Sequence, residues 1–357
     1  MIKLAKPIYL CSLRRRSGKT FLAIGMLQKL QKEGKKVAYF KPIGVPVGAL
    51  SDKQDYRVRF IMDQVFKTDL PYEAISPVSI PSRYYIDAID ASKREECTNT
   101  IKEAYEKISK DVDYVIIEGC PTIRSFVRVG IDDVSIAQAL GISELVFVQT
   151  DSSDRVIDNF FFTKNYFKFR DINIKGLIFN AIDFDYIPRI EELYENHIKR
   201  YDIPIIGIIE KSMQLLAPRV SEIQEAIGGE LINDAASAGL QNWVRTYIVG
   251  AMNTQAAQKY LRQAESAAVI TGGDRADLIL AALETDVSCL ILTGFIQPDT
   301  KIITAANDKG VPILLSPSDT YTTLRNMERM ETRIQEDELE IIMELIEKNI
   351  DWDLLLK

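Results

Sequence analysis

The residues with the most specific chemistry lie in the stretch SLRRRSGKT, from Ser12 to Thr20. Gly18, Lys19 and Thr20 stand between an apolar run that predicts a strand and a segment of helical period, which is the setting of a phosphate-binding P-loop. Backbone N–H groups of such a loop converge on phosphate oxygens, its lysine pairs with the outer phosphates, and its hydroxyl ligates Mg²⁺. We therefore expect Lys19 to contact phosphate in a catalytic role and Thr20 to bind the metal.

The loop departs from the G-x-x-x-x-G-K-[ST] pattern, because Leu13 stands where the first glycine belongs. Three arginines follow it, and adjacent guanidinium groups repel one another unless an anion offsets them. A bound polyphosphate would do so, and a surface turn with an incidental Gly-Lys-Thr is the alternative. Arg14 occupies the position of the extra lysine in deviant P-loops of dimeric ATPases, so we expect a catalytic contact with phosphate across a dimer. The predicted nucleotide contacts are Ser12, Arg15, Arg16, Ser17, Gly18, Lys19 and Thr20.

A P-loop enzyme also needs a carboxylate at the end of a neighbouring strand to hold the metal. The segment DYVIIEG predicts a strand that ends at Glu118, and the alternative is a carboxylate that only faces water. A second acidic residue is Asp52 or Asp55, in the loop after Lys41, and either could equally be an ordinary solvated residue. No N/T-K-x-D motif follows a strand, so ATP is preferred over GTP. Asn180, at the end of its strand, is placed to bond an adenine edge or to cap a turn.

Short apolar runs alternate with helix-period segments along the first 212 residues. Most runs are apolar on both faces, as buried parallel strands are, so we predict a P-loop NTPase-type α/β domain over residues 1–212. A second alternation predicts a smaller α/β domain over 213–330, and residues 331–357 predict an amphipathic helix packed on one of the domains. The predicted strands are Ile8–Ser12, Val37–Lys41, Tyr114–Glu118, Leu145–Thr150, Ile174–Asn180 and Ile203–Ile209 in the first domain, and Ser266–Thr271, Ser288–Thr293 and Val311–Ser316 in the second.

Composition and charge exclude several classes of protein. The 357 residues carry a formal net charge of −7, which opposes nucleic acid as a partner, because a polyanion is held by clustered Lys and Arg. Four scattered cysteines and a single histidine offer no zinc site, so any metal must sit on oxygen. No apolar run reaches the ~18 residues that span a bilayer, and the N-terminus has no leader pattern. We therefore expect a cytoplasmic protein with no membrane partner.

Together these residues resemble the dethiobiotin-synthetase-like domain found at the N-terminus of long bacterial phosphotransacetylases and in stand-alone proteins. The likeness spans nearly the whole chain and includes the P-loop, KPIG at 41–44, EG at 118–119 and IPIIGII at 203–209. It implies ATP and Mg²⁺ as cofactors. The roles it implies are metal ligation by Thr20, Asp55 and Glu118, phosphate contact by Lys19, adenine contact by Asn180, and a substrate-side catalytic position for Lys41.

The second domain is similar to a DRTGG domain through the run GGDRAD at 272–277, in which Ala276 replaces the threonine of the family name. Such domains accompany regulatory or nucleotide-related modules. The likeness therefore implies a sensor site near Asp274 and Arg275, where a helix begins and an anion could bind. A purely structural turn is the alternative.

The leading interpretation is an enzyme that transfers a phosphoryl group from Mg-ATP to a small carboxylate-type acceptor near Lys41, or hydrolyses ATP slowly. The alternative is a regulatory module that binds a nucleotide without turnover, while the DRTGG-like domain responds to an unidentified small molecule. We expect no acetyl transfer, because the acetyl-transferring domain of phosphotransacetylases would follow the second domain and the sequence ends at Lys357. A homo-oligomer, a dimer or larger, is expected by analogy with related P-loop folds.

Overall fold

The computed structural model describes residues 5–46, 54–81, 89–212, 215, 217–330 and 332–357. The chain forms two compact units, of which the first combines Met1–Lys211 with Ile334–Lys357 and the second is Ser212–Arg333. Each unit has its own largely parallel sheet and its own apolar core. In the part of the chain so described, no helix is both long enough and apolar enough to cross a membrane.

The first unit contains a six-stranded sheet and a separate strand pair. Its strands are β1 (Lys6–Ser12), β2 (Val37–Phe40), β3 (Ile43–Gly44), β4 (Val78–Ser79), β5 (Tyr114–Glu118), β6 (Glu144–Gln149), β7 (Asn173–Ile182) and β8 (Ile205–Glu210). The large sheet has the order β2-β5-β1-β6-β7-β8 with every pair parallel, and β3 pairs with β4. This is the parallel sheet that the apolar runs predict.

Burial explains why these strands carry so few polar residues. All of β1 from Ile8 to Ser12 is buried, as is β5 from Val115 to Glu118, because helices cover both faces of the sheet. The helices of this unit are α1 (Lys19–Lys32), α2 (Tyr56–Phe60), α3 (Tyr72–Ile75), α4 (Arg94–Ile108), α5 (Asp133–Ala139), α6 (Arg155–Phe169) and α7 (Ile187–Leu193). Shorter turns are the π-helices Ile61–Phe66 and Tyr194–Ile198 and the 3₁₀ helices Ala91–Lys93, Phe184–Tyr186 and Lys199–Tyr201.

The second unit is a smaller α/β sandwich. Its strands are β9 (Glu230–Leu231), β10 (Thr246–Val249), β11 (Ala267–Gly272), β12 (Val287–Thr293) and β13 (Ile313–Leu315), in the order β10-β11-β12-β13-β9 with β9 antiparallel. Its helices are α8 (Val220–Ile227), α9 (Thr254–Leu261), α10 (Ala276–Leu283), α11 (Thr300–Asp308) and α12 (Thr320–Arg329), with a 3₁₀ helix at Asp234–Gln241. Successive residues of β11 enter two separate apolar clusters, Ala267 and Val269 on one face and Ala268 and Ile270 on the other.

The end of the chain returns to the first unit. After the 3₁₀ turn Glu336–Glu338 it forms two helices, α13 (Leu339–Asn349) and α14 (Trp352–Leu356), where a single helix was expected. The helical path breaks at Ile350, because this residue is extended and makes an antiparallel bridge with Gly207 of β8. On α13, Ile346 is fully buried and lies directly against Gly25 of α1.

Replacing Gly25 by alanine should lower the free energy of unfolding by about 1–3 kcal/mol, because overpacking strains a filled interior. A β-carbon at this position would lie 2.3 Å from Cγ1 of Ile346. Ile346→Ala removes Cγ1 but keeps its own Cβ at 2.7 Å from that methyl group, so it relieves part of the clash, and the double variant should cost less than the sum of the two single changes. Urea unfolding measures all three, and Gln31→Ala at an exposed position of α1 serves as the control. Strictly additive costs would contradict this contact.

Candidate functional site

The loop Ser12–Thr20 lies at the carboxyl edge of the first sheet, between the end of β1 and the start of α1. Leu10 of β1 is paired with Glu118 of β5 on one side and with Val146 of β6 on the other. From β1 the chain crosses to β2 on one side of the sheet, and from the adjacent β5 it crosses to β6 on the other side. Ligands of open α/β sheets bind where neighbouring strands connect in opposite directions. The loop and the carboxylate at the end of β5 are therefore neighbours, as the sequence predicts.

Hydrogen bonds within the loop fix its shape. Ser12 donates its hydroxyl to the carbonyl of Arg14 at 2.8 Å and accepts one from the hydroxyl of Ser17 at 2.9 Å. Asn180, at the carboxyl end of β7, donates its amide to the carbonyl of Ser17 at 3.0 Å. Gly18 has a positive φ of 79°, and a β-carbon there would lie 2.0 Å from this amide nitrogen. Asn180 therefore holds the loop, which corresponds to the turn-capping alternative.

Helix α1 begins without a capping side chain. Gly18 is its N-cap residue and makes no side-chain cap, and no acidic residue lies in the first turn. In contrast, Asp132 caps α5 by accepting hydrogen bonds from two backbone N–H groups. No capping side chain and no acidic residue of its own first turn therefore offsets the positive end of the α1 dipole.

Lys19 is buried, with 6 % of its surface exposed, and its ammonium group lies inside the loop. It donates to the hydroxyl of Ser12 at 2.7 Å, to that of Ser17 at 3.3 Å and to the carbonyl of Pro121 at 3.3 Å. Burial lowers the pKa of Lys19, and the more distant charges of Glu118 and Asp133 oppose this effect only in part. All three hydrogen-bond partners are neutral oxygens, so no carboxylate is in contact with this cation.

Glu118 is the centre of a second group of side chains. Its Oε1 accepts hydrogen bonds from Thr20 at 2.9 Å and from the ammonium of Lys41 at 2.7 Å, and its Oε2 accepts one from Tyr39 at 2.8 Å. Burial by itself would raise the pKa of Glu118, but Lys41 and then Arg57 outweigh it, so the pKa is lowered. The carboxylate is thus charged and already paired with a cation.

Asp55 joins the same group from the start of α2, where it is the N-cap residue. Its side chain is fully buried and lies 3.0 Å from the ammonium of Lys41. Arg57 grips both of its oxygens, with Nε 2.8 Å from Oδ1 and Nη2 2.8 Å from Oδ2. Backbone N–H groups of Val45 and Arg57 also donate to it. Burial favours a raised pKa for Asp55, but Lys41 and Arg57 hold that pKa well below its usual range.

The residues expected to ligate magnesium therefore meet at one point, but with their charges already balanced. Thr20 and Glu118 are in contact, while Asp55 is turned to Arg57 and Lys41. Among the described residues, no group of three or more His, Cys, Asp or Glu side chains could hold a metal ion. Such a donor set does not fit a resident divalent cation. The other acidic candidate, Asp52, lies outside the described residues.

The three arginines of the loop have different surroundings. Arg14 forms an ion pair with Asp151 at 2.9 Å, and the other carboxylate oxygen of Asp151 accepts from Asn159. Arg15 and Arg16 are exposed. Within one chain, Arg14 is thus already paired with a carboxylate next to the end of β6, and its guanidinium is half exposed.

Comparison with known families decides what kind of domain the first unit is. An AAA domain family matches residues 6–219, which is more than half of the sequence. The chain belongs to this AAA domain family. A DRTGG domain matches residues 222–330, so the AAA domain is followed by a DRTGG domain, as the resemblance implied.

Curated relatives of this AAA domain protein are phosphate acetyltransferases. The one from Nitratidesulfovibrio vulgaris is 23 % identical over 98 % of this chain and 51 % of its own length. The one from Pseudomonas aeruginosa is 24 % identical over 95 % of this chain and 50 % of its own. The chain thus spans about half the length of the curated relatives it matches. Among solved structures, the septum site-determining protein MinD complexed with Mg-ADP from Pyrococcus horikoshii OT3 covers 59 % of this chain and 84 % of its own, at 16 % identity and a TM-score of 0.36.

In the DRTGG domain, the turn before helix α10 is held by the side chain of its N-cap residue. Arg275, the N-cap residue of α10, donates to the carbonyl of Gly250 at 3.3 Å and to that of Met252 at 3.0 Å. Its guanidinium also lies 3.6 Å from Asp277. Arg275 therefore has a structural role in this turn.

Besides Arg57, sequence reasoning missed Asp133 of the AAA domain. It is fully buried at the start of α5, and its Oδ1 accepts from the hydroxyl of Tyr9 at 2.9 Å and from the N–H of Cys120 at 2.6 Å. Its Oδ2 is buried and has no hydrogen-bond partner. Burial raises the pKa of Asp133 to about 6, although Cys120, Lys19 and Tyr9 each oppose the shift. No motif marks it, because only the fold brings β1 and α5 together.

Asp133→Asn should change how stability depends on pH. The pKa of Asp133 is raised in the folded state, so the parent loses stability as pH rises from about 4 to about 6, where the folded carboxyl must ionise. The variant has no carboxyl group to ionise at this position, so it does not lose stability in this way. Its free energy of unfolding relative to the parent should improve across that window by up to about 3 kcal/mol, at roughly 1.4 kcal/mol per pKa unit. Denaturant titrations at both ends of the window measure it, and a difference independent of pH would contradict the assignment.

Proposed function

We propose that the AAA domain binds the phosphate groups of a nucleotide, ATP, at the loop Ser12–Thr20. The observation that carries this proposal is the state of Lys19, a buried ammonium with only neutral hydrogen-bond partners, next to a helix N-terminus with no side-chain cap. A phosphate oxygen would give this cation an anionic partner and would also face the positive end of α1. Membership in the AAA domain family supports the same location.

Each residue around the loop has a role in this proposal. Lys19 pairs with an outer phosphate, and the hydroxyls of Ser17 and Thr20 offer further hydrogen bonds. The exposed guanidinium groups of Arg15 and Arg16 screen the charge of the polyphosphate from outside. Ser12 and Asn180 keep the loop in shape through their contacts with Arg14, Ser17 and Lys19. The lack of an N/T-K-x-D motif after a strand favours ATP over GTP.

Binding without turnover is the function that this arrangement supports best. The carboxylates that could activate an acceptor, Asp55 and Glu118, are both held by cations, at 3.0 Å and 2.7 Å from the ammonium of Lys41. A general base must be free to accept a proton, and the lowered pKa values of these groups make both of them weak bases. We therefore propose a nucleotide-responsive module, coupled to a DRTGG domain, that regulates an enzyme of the phosphate acetyltransferase class.

A second candidate is phosphoryl transfer to a small carboxylate-type acceptor. The observation in its favour is the position of Lys41, whose ammonium lies beside the same Glu118 oxygen that Thr20 contacts. An anionic acceptor could pair with Lys41 there. Release of phosphate or ADP by the parent at ordinary enzymatic rates of about 1 per second or more, lost in Lys19→Ala, would favour this candidate over binding alone.

Calorimetric titration with ATP is the test of the proposed site. Lys19→Ala should weaken ATP binding by about 10- to 100-fold, because it removes a charge-assisted hydrogen bond to phosphate. Lys102→Ala, which removes an exposed lysine of α4, is the matched control and should bind as the parent does. Equal affinity in Lys19→Ala and the parent, or no binding of ATP by the parent, would contradict the proposal.

A further inference from the structure

We infer that this loop binds its nucleotide without needing a divalent cation, because Lys41 and Arg57 already neutralise the two carboxylates that would hold one. The inference rests on the proposed nucleotide binding and concerns its cofactor requirement. It departs from the magnesium site that the sequence and the family resemblance imply.

Glu118 is already surrounded by hydrogen-bond donors. Its three contacts, with Thr20, Lys41 and Tyr39, all come from side-chain donors within 2.9 Å, and the carboxylate is 3 % exposed. A cation bound to Oε1 would have to displace the ammonium of Lys41 from 2.7 Å. Displacement would leave Lys41, itself only 2 % exposed, without one of its two anionic partners. An unpaired buried charge is costly, so the exchange is opposed.

Asp55 is surrounded by donors as well. Five donors surround its carboxylate, namely two guanidinium nitrogens and the backbone N–H of Arg57, the ammonium of Lys41, and the N–H of Val45. Guanidinium matches carboxylate geometry with two parallel hydrogen bonds, and such forks are among the strongest ion pairs in proteins. Arg57 also donates to the carbonyl of Val45, which fixes it further. Two of these donors lie on Oδ1 and three on Oδ2, so a metal ion could bind Asp55 only by displacing one of them.

The charges of these four side chains also balance. Asp55 and Glu118 carry two negative charges, and Lys41 and Arg57 carry two positive ones, so the cluster is neutral with no metal present. A divalent cation would add two positive charges to a buried site that also contains Lys19. A metal that arrived with the nucleotide would find the hydroxyl of Thr20, but it would find Glu118 and Asp55 already paired with Lys41 and Arg57. The charge of the polyphosphate would be offset instead by Lys19, by the end of α1 and by the exposed loop arginines.

The experiment is calorimetric titration of the full chain with ATP, once with excess EDTA and once with Mg²⁺ in excess over ATP. The parent should bind in both buffers, with dissociation constants that differ by less than about threefold. Arg57→Gln removes one of the two neutralising cations and leaves one acid uncompensated. It should bind ATP at least about tenfold more weakly in EDTA than in Mg²⁺, since the freed carboxylate repels phosphate unless a cation intervenes. Arg59→Gln, an exposed arginine of the same helix, is the matched control and should behave as the parent.

The outcomes separate the inference from the proposed function. If the parent binds ATP in Mg²⁺ and loses binding in EDTA, the inference is overturned and the proposed function stands. If the parent binds ATP in neither buffer, the proposed function itself fails. If Arg57→Gln does not fold, the parent's affinities for ATP in the two buffers still test the inference. Lys41→Gln is then a second variant that removes one cation from the cluster.

Discussion

The ion cluster formed by Lys41, Asp55, Arg57 and Glu118 constrains the whole site. Taking a single charge out of water is expensive, and a buried ion is tolerated only when its partners approach closely and satisfy its hydrogen bonds. The cluster meets this condition with four side chains from the end of β2, the start of α2 and the end of β5. Because each member compensates another, these three elements must be in place together. The position of the carboxyl edge of the sheet is thereby set before any ligand arrives.

The P-loop next to this cluster is organised in the opposite way. Neutral groups hold it, with the hydroxyls of Ser12 and Ser17 and the amide of Asn180 as its fixed points. Its buried cation, Lys19, has only neutral hydrogen-bond partners, while the charges of the neighbouring cluster neutralise one another. Two adjacent regions of similar burial therefore differ in what they can attract. The loop favours an anion, and the cluster favours neither an anion nor a cation.

The sequence predicted much of this arrangement, and the remainder depends on contacts between distant segments. Spacing and context were enough to find Lys19, Thr20 and Glu118, because a P-loop and a strand-end carboxylate have local signatures. Arg57 was overlooked, since its importance arises only from its grip on Asp55. In the second unit, β9 and β10 were missed, because β9 has only two residues and β10 is an edge strand that buries only one of its four residues.

The path of the chain also affects how the protein is made. The first unit is completed by residues 334–357, which follow the entire second unit in sequence. During synthesis, the surface of α1 at Gly25 stays uncovered until Ile346 has left the ribosome. In the same way, Gly207 of β8 lacks its bridge partner until Ile350 has been made. The second unit is by then fully translated, and its segment is continuous, so it can fold first. Order of synthesis therefore delays the closing of the first unit, although that unit begins the chain.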